Sequence, residues 1–171
     1  MDLERFELMA TAADGTTDLC RLEGCTLDMA VSDDPDDIDF TLSCPVSGFV
    51  PEYGAMIYVE GTEIGGVVEG RGTDSQAATV EVVGRTWSGL LDSRVIRPPA
   101  GSDYYTYSGD IRAVLRSVIS ATNLTGYFTV AAGSAGKTIS GSFDRYCSVW
   151  EGLRKELKRA GWRPSATWNG T

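Results

Sequence analysis

Apolar and polar residues alternate with a period of two through the first half of the chain, and recur with helical spacing in two stretches of the second half. Ile38-Asp39-Phe40-Thr41-Leu42 alternates cleanly and predicts a strand with one wet face. Arg5 to Ala10 and Leu19 to Val31 have strand character, with Asp14-Gly15 as the turn between them. In the second of these the apolar phase shifts at Gly24, which predicts a β-bulge in one long, bent strand. Ala55–Glu60, Ile64–Arg71 and Ala77–Val83 complete the set, joined by tight turns at Gly61-Thr62-Glu63 and Gly72-Thr73-Asp74-Ser75. Strands this short and this evenly spaced predict a small closed antiparallel barrel or a sandwich, and the in-strand glycines favour the barrel. Gly24, Gly65, Gly66 and Gly70 fall inside strands, where barrel curvature needs them. Pro45 to Gly54 reads as a loop whose Phe49 and Tyr53 are expected to cover one end of the core.

The pattern changes over Val80–Pro99, VEVVGRTWSGLLDSRVIRPP. A strand ends at Gly84, a short helical run carries Leu90 and Leu91, and the chain leaves through Arg94-Val95-Ile96 into Pro98-Pro99. Such a seam separates two packing units. Gly101 to Tyr107 then reads as a tyrosine-rich loop, with Ser108 as N-cap of a helix and Asp110 in its first turn. Ile111, Val114, Leu115, Val118 and Ile119 form one apolar stripe, Arg112 and Arg116 stand on the opposite face, and Asn123 and Gly126 end the helix. Tyr127–Val130 and Thr138–Phe143 are expected as short strands around a Gly133–Gly136 turn. Ser148 with Glu151 is a capping box for a last helix with Trp150, Leu153 and Leu157 as its stripe, closed by Gly161. Trp162 to Trp168 is expected to start another strand, as though these residues were the front part of a longer protein.

Charge sharpens this division. Residues 1–84 hold 18 Asp/Glu against 3 Lys/Arg, a balance of −15, whereas residues 85–171 hold 6 against 12, a balance of +6. Opposite signs in the two halves imply that they face each other or face different partners. The acidic half argues against nucleic acid as its partner. No stretch reaches the roughly 20 apolar residues that a membrane-spanning helix requires, and the acidic MDLERFELMA start does not resemble a signal peptide.

Candidate chemistry is sparse. With no histidine in the chain, imidazole catalysis and histidine-based zinc sites are excluded. Cys20, Cys25, Cys44 and Cys147 show no CxxC spacing and read as small buried apolar residues, so no metal or cofactor is expected. The Gly133–Lys137 run is too short for a Walker A loop. Asp33, Asp34, Asp36, Asp37 and Asp39 lack the order of an EF-hand and read as a charged hairpin loop, with ion binding left open. Arg85 and Arg94 flank the seam helix, either as carboxylate clamps on a neighbouring domain or subunit or as pairs within their own domain. Tyr104, Tyr105 and Tyr107 read as a sugar-stacking or interface patch, or as a loop folded over the domain junction.

Taken in order, Phe40-Thr41-Leu42-Ser43-Cys44-Pro45, Gly54-Ala55-Met56-Ile57, the Gly65-Gly66-Val67-Val68-Glu69 hairpin centre and Gly84-Arg85…Leu90-Leu91…Arg94 resemble the hub proteins at the tip of bacteriophage tails. The two helices near 110–122 and 148–160 extend that resemblance over nearly the whole chain. It implies a barrel of the tail-tube type. It also implies a homotrimer of the full-length protein, and contacts with distal-tail, tape-measure, spike or fibre proteins. Family hubs carry two such barrels per subunit, and this sequence holds one.

The expected fold is therefore α+β: an antiparallel β-barrel over residues 1–98, then a small two-helix α/β domain over residues 99–171. The expected function is a structural, non-catalytic component of a phage or prophage tail tip (baseplate hub), assembled in the bacterial cytoplasm and carried in the virion tail. Arg85, Leu90, Leu91, Arg94, Tyr104, Tyr105 and Tyr107 are its candidate interface or domain-junction residues. The alternatives are a carbohydrate- or receptor-binding module and a carboxylate-only glycosidase.

Overall fold

The computed structural model describes residues 7–31, 34, 36–73 and 78–168. They form two compact units. The first comprises the described residues up to Leu90 together with Ser165–Trp168; the second comprises Leu91–Pro164.

The first unit holds strands β1 (Leu8–Thr11), β2 (Asp18–Arg21), β3 (Thr26–Met29), β4 (Asp39–Pro45), β5 (Met56–Val59), β6 (Gly65–Thr73) and β7 (Thr79–Thr86). Helix α1 (Trp87–Asp92) follows, and the boundary between the units falls inside it. All seven strands belong to one antiparallel sheet in the order β2-β1-β5-β6-β7-β4-β3. β4 shows how the sequence pattern becomes packing. Phe40, Leu42 and Cys44 are buried while Thr41 and Ser43 between them stay half-buried. With Ala10, Leu22, Ala55, Ile57, Val68 and Val82 they make the core.

The two outermost strands, β2 and β3, are neighbours in sequence, joined only through Leu22–Cys25. A flat sheet of seven strands would separate its edges by about 29 Å, at about 4.8 Å per strand step. Five residue steps span at most about 18 Å. The sheet must therefore curl until its ends approach each other. Hydrogen bonding nevertheless stops at β2 and β3, with no pairing between them among the described residues. The sheet is curled and open where a closed barrel was expected. The reason lies at Gly24, whose φ of +69° puts a turn where a bulge was expected and breaks one long strand into β2 and β3. The register instead shifts on β1, between Ala10 and Thr11, and on β6, between Val68 and Gly70. Phe49 and Tyr53 do not cover the core. They are exposed, and the buried loop residue is Pro51.

The second unit holds β8 (Thr106–Asp110), α2 (Ile111–Ala121), β9 (Thr138–Ser142) and α3 (Val149–Arg159). α2 buries Ile111, Val114, Val118 and Ile119, as its apolar stripe predicts. Its N-cap is Asp110 rather than Ser108, because Ser108 is spent in β8, which pairs with β9. Asn123, at φ +57°, takes the left-handed position that ends the helix, and the Leu124 amide donates to the Ile119 carbonyl at 3.0 Å. Ser148 caps α3 through a 3.1 Å bond from the Glu151 amide. α3 packs closely on Ile96 and Phe143: a Cβ on Gly152 would stand 3.0 Å from each. Two expected strands are absent. The Tyr127 and Phe128 amides both turn back to the Leu124 carbonyl at 3.0 Å, so residues 127–130 form no ladder. Trp162–Trp168 is irregular, and its last residues rejoin the first unit.

Candidate interaction sites

Arg85 lies on β7 opposite Asp39 of β4 and Val67 of β6. Its side chain reaches along the sheet to Glu69, Nε to Oε2 at 2.9 Å. Both partners are more than a third exposed, so the pair contributes little to stability and leaves a charged spot on the sheet's surface. Leu90 in the first unit and Leu91 in the second are buried. Arg94 is exposed; its backbone carbonyl accepts the Val149 amide at 2.8 Å.

The three tyrosines have different surroundings, and β8 is the cause. Tyr104 precedes the strand and is 53% exposed. The Tyr105 carbonyl accepts the Phe143 amide at 3.0 Å, and its ring tilts against Phe143 at 5.8 Å. Tyr107 is buried opposite Gly141, its ring 4.7 Å from Phe143. A Cβ at Gly141 would stand 2.7 Å from the Tyr107 hydroxyl oxygen, so only glycine leaves that ring its place. The hydroxyl donates to Glu156 Oε2 at 2.5 Å, and Arg159 Nη1 reaches both Glu156 oxygens at 3.0 and 3.2 Å. Burial, and then the hydrogen bond to Glu156, push the Tyr107 hydroxyl far above the ordinary tyrosine range. The three rings therefore do not form one exposed patch.

The Gly133–Lys137 run lies along α2. Asp110 accepts from Ser134 Oγ at 2.6 Å, from the Ala135 amide at 2.9 Å and from the Arg112 amide at 3.0 Å. The Ser134 hydroxyl first, then the Ala135 amide, hold the Asp110 carboxyl down at about 2. Arg112 donates to the Ala132 carbonyl at 2.7 Å, and Arg116 to the Ala131 carbonyl at 3.0 Å. The loop amide that an anion would use is thus occupied by the protein's own carboxylate. In the aspartate loop, Asp34 accepts the Asp36 amide at 3.0 Å and the Asp37 carbonyl accepts from Ser88 Oγ at 3.3 Å; Asp33 lies outside the described residues.

One feature of the first unit escaped the sequence. Trp168 stacks on Tyr58, centroids 4.5 Å apart at 22°, and on Trp87, 6.2 Å apart at 17°. The Gly61 amide donates to the Trp168 carbonyl at 3.2 Å. Tyr58 Oη donates to Asp18 Oδ1 at 2.7 Å, and burial first, then that bond, push its hydroxyl up to about 12. Gly65 faces the same rings: a Cβ there would stand 2.7 Å from Trp87.

Comparison of the coordinates with solved structures finds the same fold elsewhere. This chain is similar in fold to a prophage tail protein. The match is the crystal structure of prophage tail protein gp18 from Listeria monocytogenes EGD-e, with a TM-score of 0.51 and 9% sequence identity over 88% of this chain. The chain spans 45% of the length of that structure. No protein-family model and no curated protein matches the sequence.

Tyr107, Glu156 and Arg159 are brought together from positions up to 52 residues apart, and Tyr58, Trp87 and Trp168 from positions up to 110 apart, as their numbering gives. No local spacing marks either set. The capping preference of Asp110 is the one signal that would have found the clamp on the 131–135 loop. Among the described residues, no helix is long and apolar enough to cross a membrane, and no group of three or more Cys, Asp or Glu is placed to hold a metal ion.

Proposed function

We propose that the chain is a structural, non-catalytic part of a phage or prophage tail, and within it of the baseplate hub at the tail tip. The observation that carries this reading is the fold match to a prophage tail protein across 88% of the chain, both units included. The ordered motifs from Phe40 to Arg94 support the hub in particular. On this reading the curled seven-stranded sheet is the counterpart of a tail-tube barrel, and the full-length protein is a homotrimer. Its partners are the distal-tail, tape-measure and spike or fibre proteins, in the virion tail after assembly in the bacterial cytoplasm. The charge skew between residues 1–84 and 85–171 then orients neighbours and speeds encounter more than it tightens binding.

The test is immunogold labelling of particles released from the strain that encodes the chain. Gold at the tail end distal to the head is the expected result. Label on the head, or no label on particles whose other tail proteins are stained, refutes the assignment. Sedimentation of the full-length protein checks the trimer, which a monomeric or dimeric species would overturn.

A further inference from the structure

Cys25 and Cys44 are free thiols whose sulfurs lie 3.0 Å apart, the Cys25 thiol donating to Cys44 Sγ. Their closeness follows from register. β3 and β4 pair antiparallel with Thr26 opposite Ser43, which places Cys25, one residue before β3, across from Cys44. Facing residues of an antiparallel pair hold their Cα atoms at about 4.5 or 5.5 Å, and both values lie inside the range that a disulfide spans. Cys44 is fully buried and Cys25 is half-buried, so one sulfur is within reach of solvent and the other is not. β3 is also an end strand of the sheet, hydrogen-bonded on one side only. Such edges are the first parts of a sheet to open or to pair wrongly.

We propose that Cys25 and Cys44 form a convertible dithiol: an oxidised small-molecule disulfide turns them into a cross-strand disulfide that pins β3 to β4. The thiolate of Cys25, the accessible sulfur, attacks one sulfur of the small disulfide and releases the first small thiolate. When the edge strand β3 opens locally and admits water, Cys44 gives it its proton and attacks the Cys25 sulfur, releasing the second small thiolate. Two protein thiols and one small disulfide become one protein disulfide and two small thiols, so electrons balance with no other reactant. The second step is the slow one, because burial pushes the Cys44 thiol up to about 12. Closure therefore speeds up as pH rises. Cys20 is the competitor, since it also senses the Cys25 charge. A Cys20–Cys25 bond would instead bridge the two ends of the sheet. This inference concerns the chain's own thiols and stands apart from the tail assignment.

The test exposes the full chain to oxidised glutathione and maps its peptides by mass spectrometry without reduction. The expected product has lost the mass of two hydrogens and contains one peptide pair linking Cys25 to Cys44. Its thermal midpoint rises by roughly 5–10 °C and returns on reduction. Cys20→Ser should keep the link. Cys25→Ser, which changes a half-exposed position, should keep the fold by circular dichroism and lose both the link and the rise. A Cys20–Cys25 link, a lasting glutathione adduct on Cys25 without an internal bond, or an equal rise in Cys25→Ser overturns the proposal.

Discussion

Replacing Tyr107 by Phe removes one oxygen from the centre of the second unit and keeps the ring that packs on Phe143 at 4.7 Å. The loss is a hydrogen bond to a charged acceptor, donated to Glu156 Oε2 at 2.5 Å. Bonds of that kind contribute about 1.5–3 kcal/mol. The lower part of the range applies, because Arg159 already reaches both Glu156 oxygens at 3.0 and 3.2 Å and the carboxylate is not left bare. About 2 kcal/mol in a unit of this size lowers its thermal midpoint by roughly 8–15 °C. Glu156→Gln is the control. It retains an acceptor for the tyrosine and loses the pair with an Arg159 side chain that is 70% exposed, a loss of less than about 1 kcal/mol. Calorimetry of the two variants, with the double variant closing the cycle, should rank Tyr107→Phe as the more damaging and find the pair non-additive. The same variant alters the alkaline limb. The folded state keeps the Tyr107 proton well above the ordinary tyrosine range, whereas the unfolded chain releases it near pH 10, to order of magnitude. This contribution is fully present below pH ~10 and is lost as pH rises further, so Tyr107→Phe should flatten that decline. A stability within about 0.5 kcal/mol of the parent, or Glu156→Gln falling further than Tyr107→Phe, would refute the reasoning.

Trp168→Ala removes two ring stacks, worth about 0.5–1.5 kcal/mol each beyond their area, and should lower the urea midpoint of the first unit; an unchanged midpoint would show that the arm does not brace the sheet. Gly84→Ala drives a Cβ to 2.3 Å from the Val67 carbonyl and 2.4 Å from the Phe40 ring, so a loss of at least about 3 kcal/mol or insoluble protein is expected; a soluble variant of parental stability in denaturant would contradict that close approach. Asp110, held at about 2 when folded against about 3.9 unfolded, contributes stability that is present above pH ~4 and lost as pH falls towards 2. Asp110→Asn should remove that acid limb while keeping a cap on α2, and acid titrations of equal slope for parent and variant would rule the clamp out.

Local periodicity carried far in this chain where one element meets one core. β4 and α2 were legible because alternation and the helical stripe report directly on a buried face, and Ser148 because a cap acts within three residues. What escaped depends on partners distant in sequence. Tyr107 looked like a loop residue because Thr106, Ser108, Gly109 and Asp110 around it are polar residues and a glycine. Only the ladder with Thr138–Ser142 makes it a strand and turns the tyrosine inward. Tyr127–Val130 shows the converse, an apolar run of strand-like composition whose first two amides are claimed by the Leu124 carbonyl in the turn after α2. The open edge at Gly24 was hidden for a further reason: a glycine within an apolar pattern is compatible with a bulge or a break, and its positive φ decides between them. Of the candidate interface residues, Arg85 and Arg94 could be placed at the surface from charge alone. The separation of Tyr104 from Tyr107 required the strand.

The return of Ser165–Trp168 to the first unit gives the residues between an unusual thermodynamic setting. Both ends of the Leu91–Pro164 stretch are tied to a folded body, so when that stretch melts it becomes a tethered ring instead of a free chain. A ring has fewer conformations to gain, and its melted form is less favoured for as long as the tether holds. Freeing the tryptophan anchor would therefore soften a part of the molecule that the tryptophan itself does not belong to.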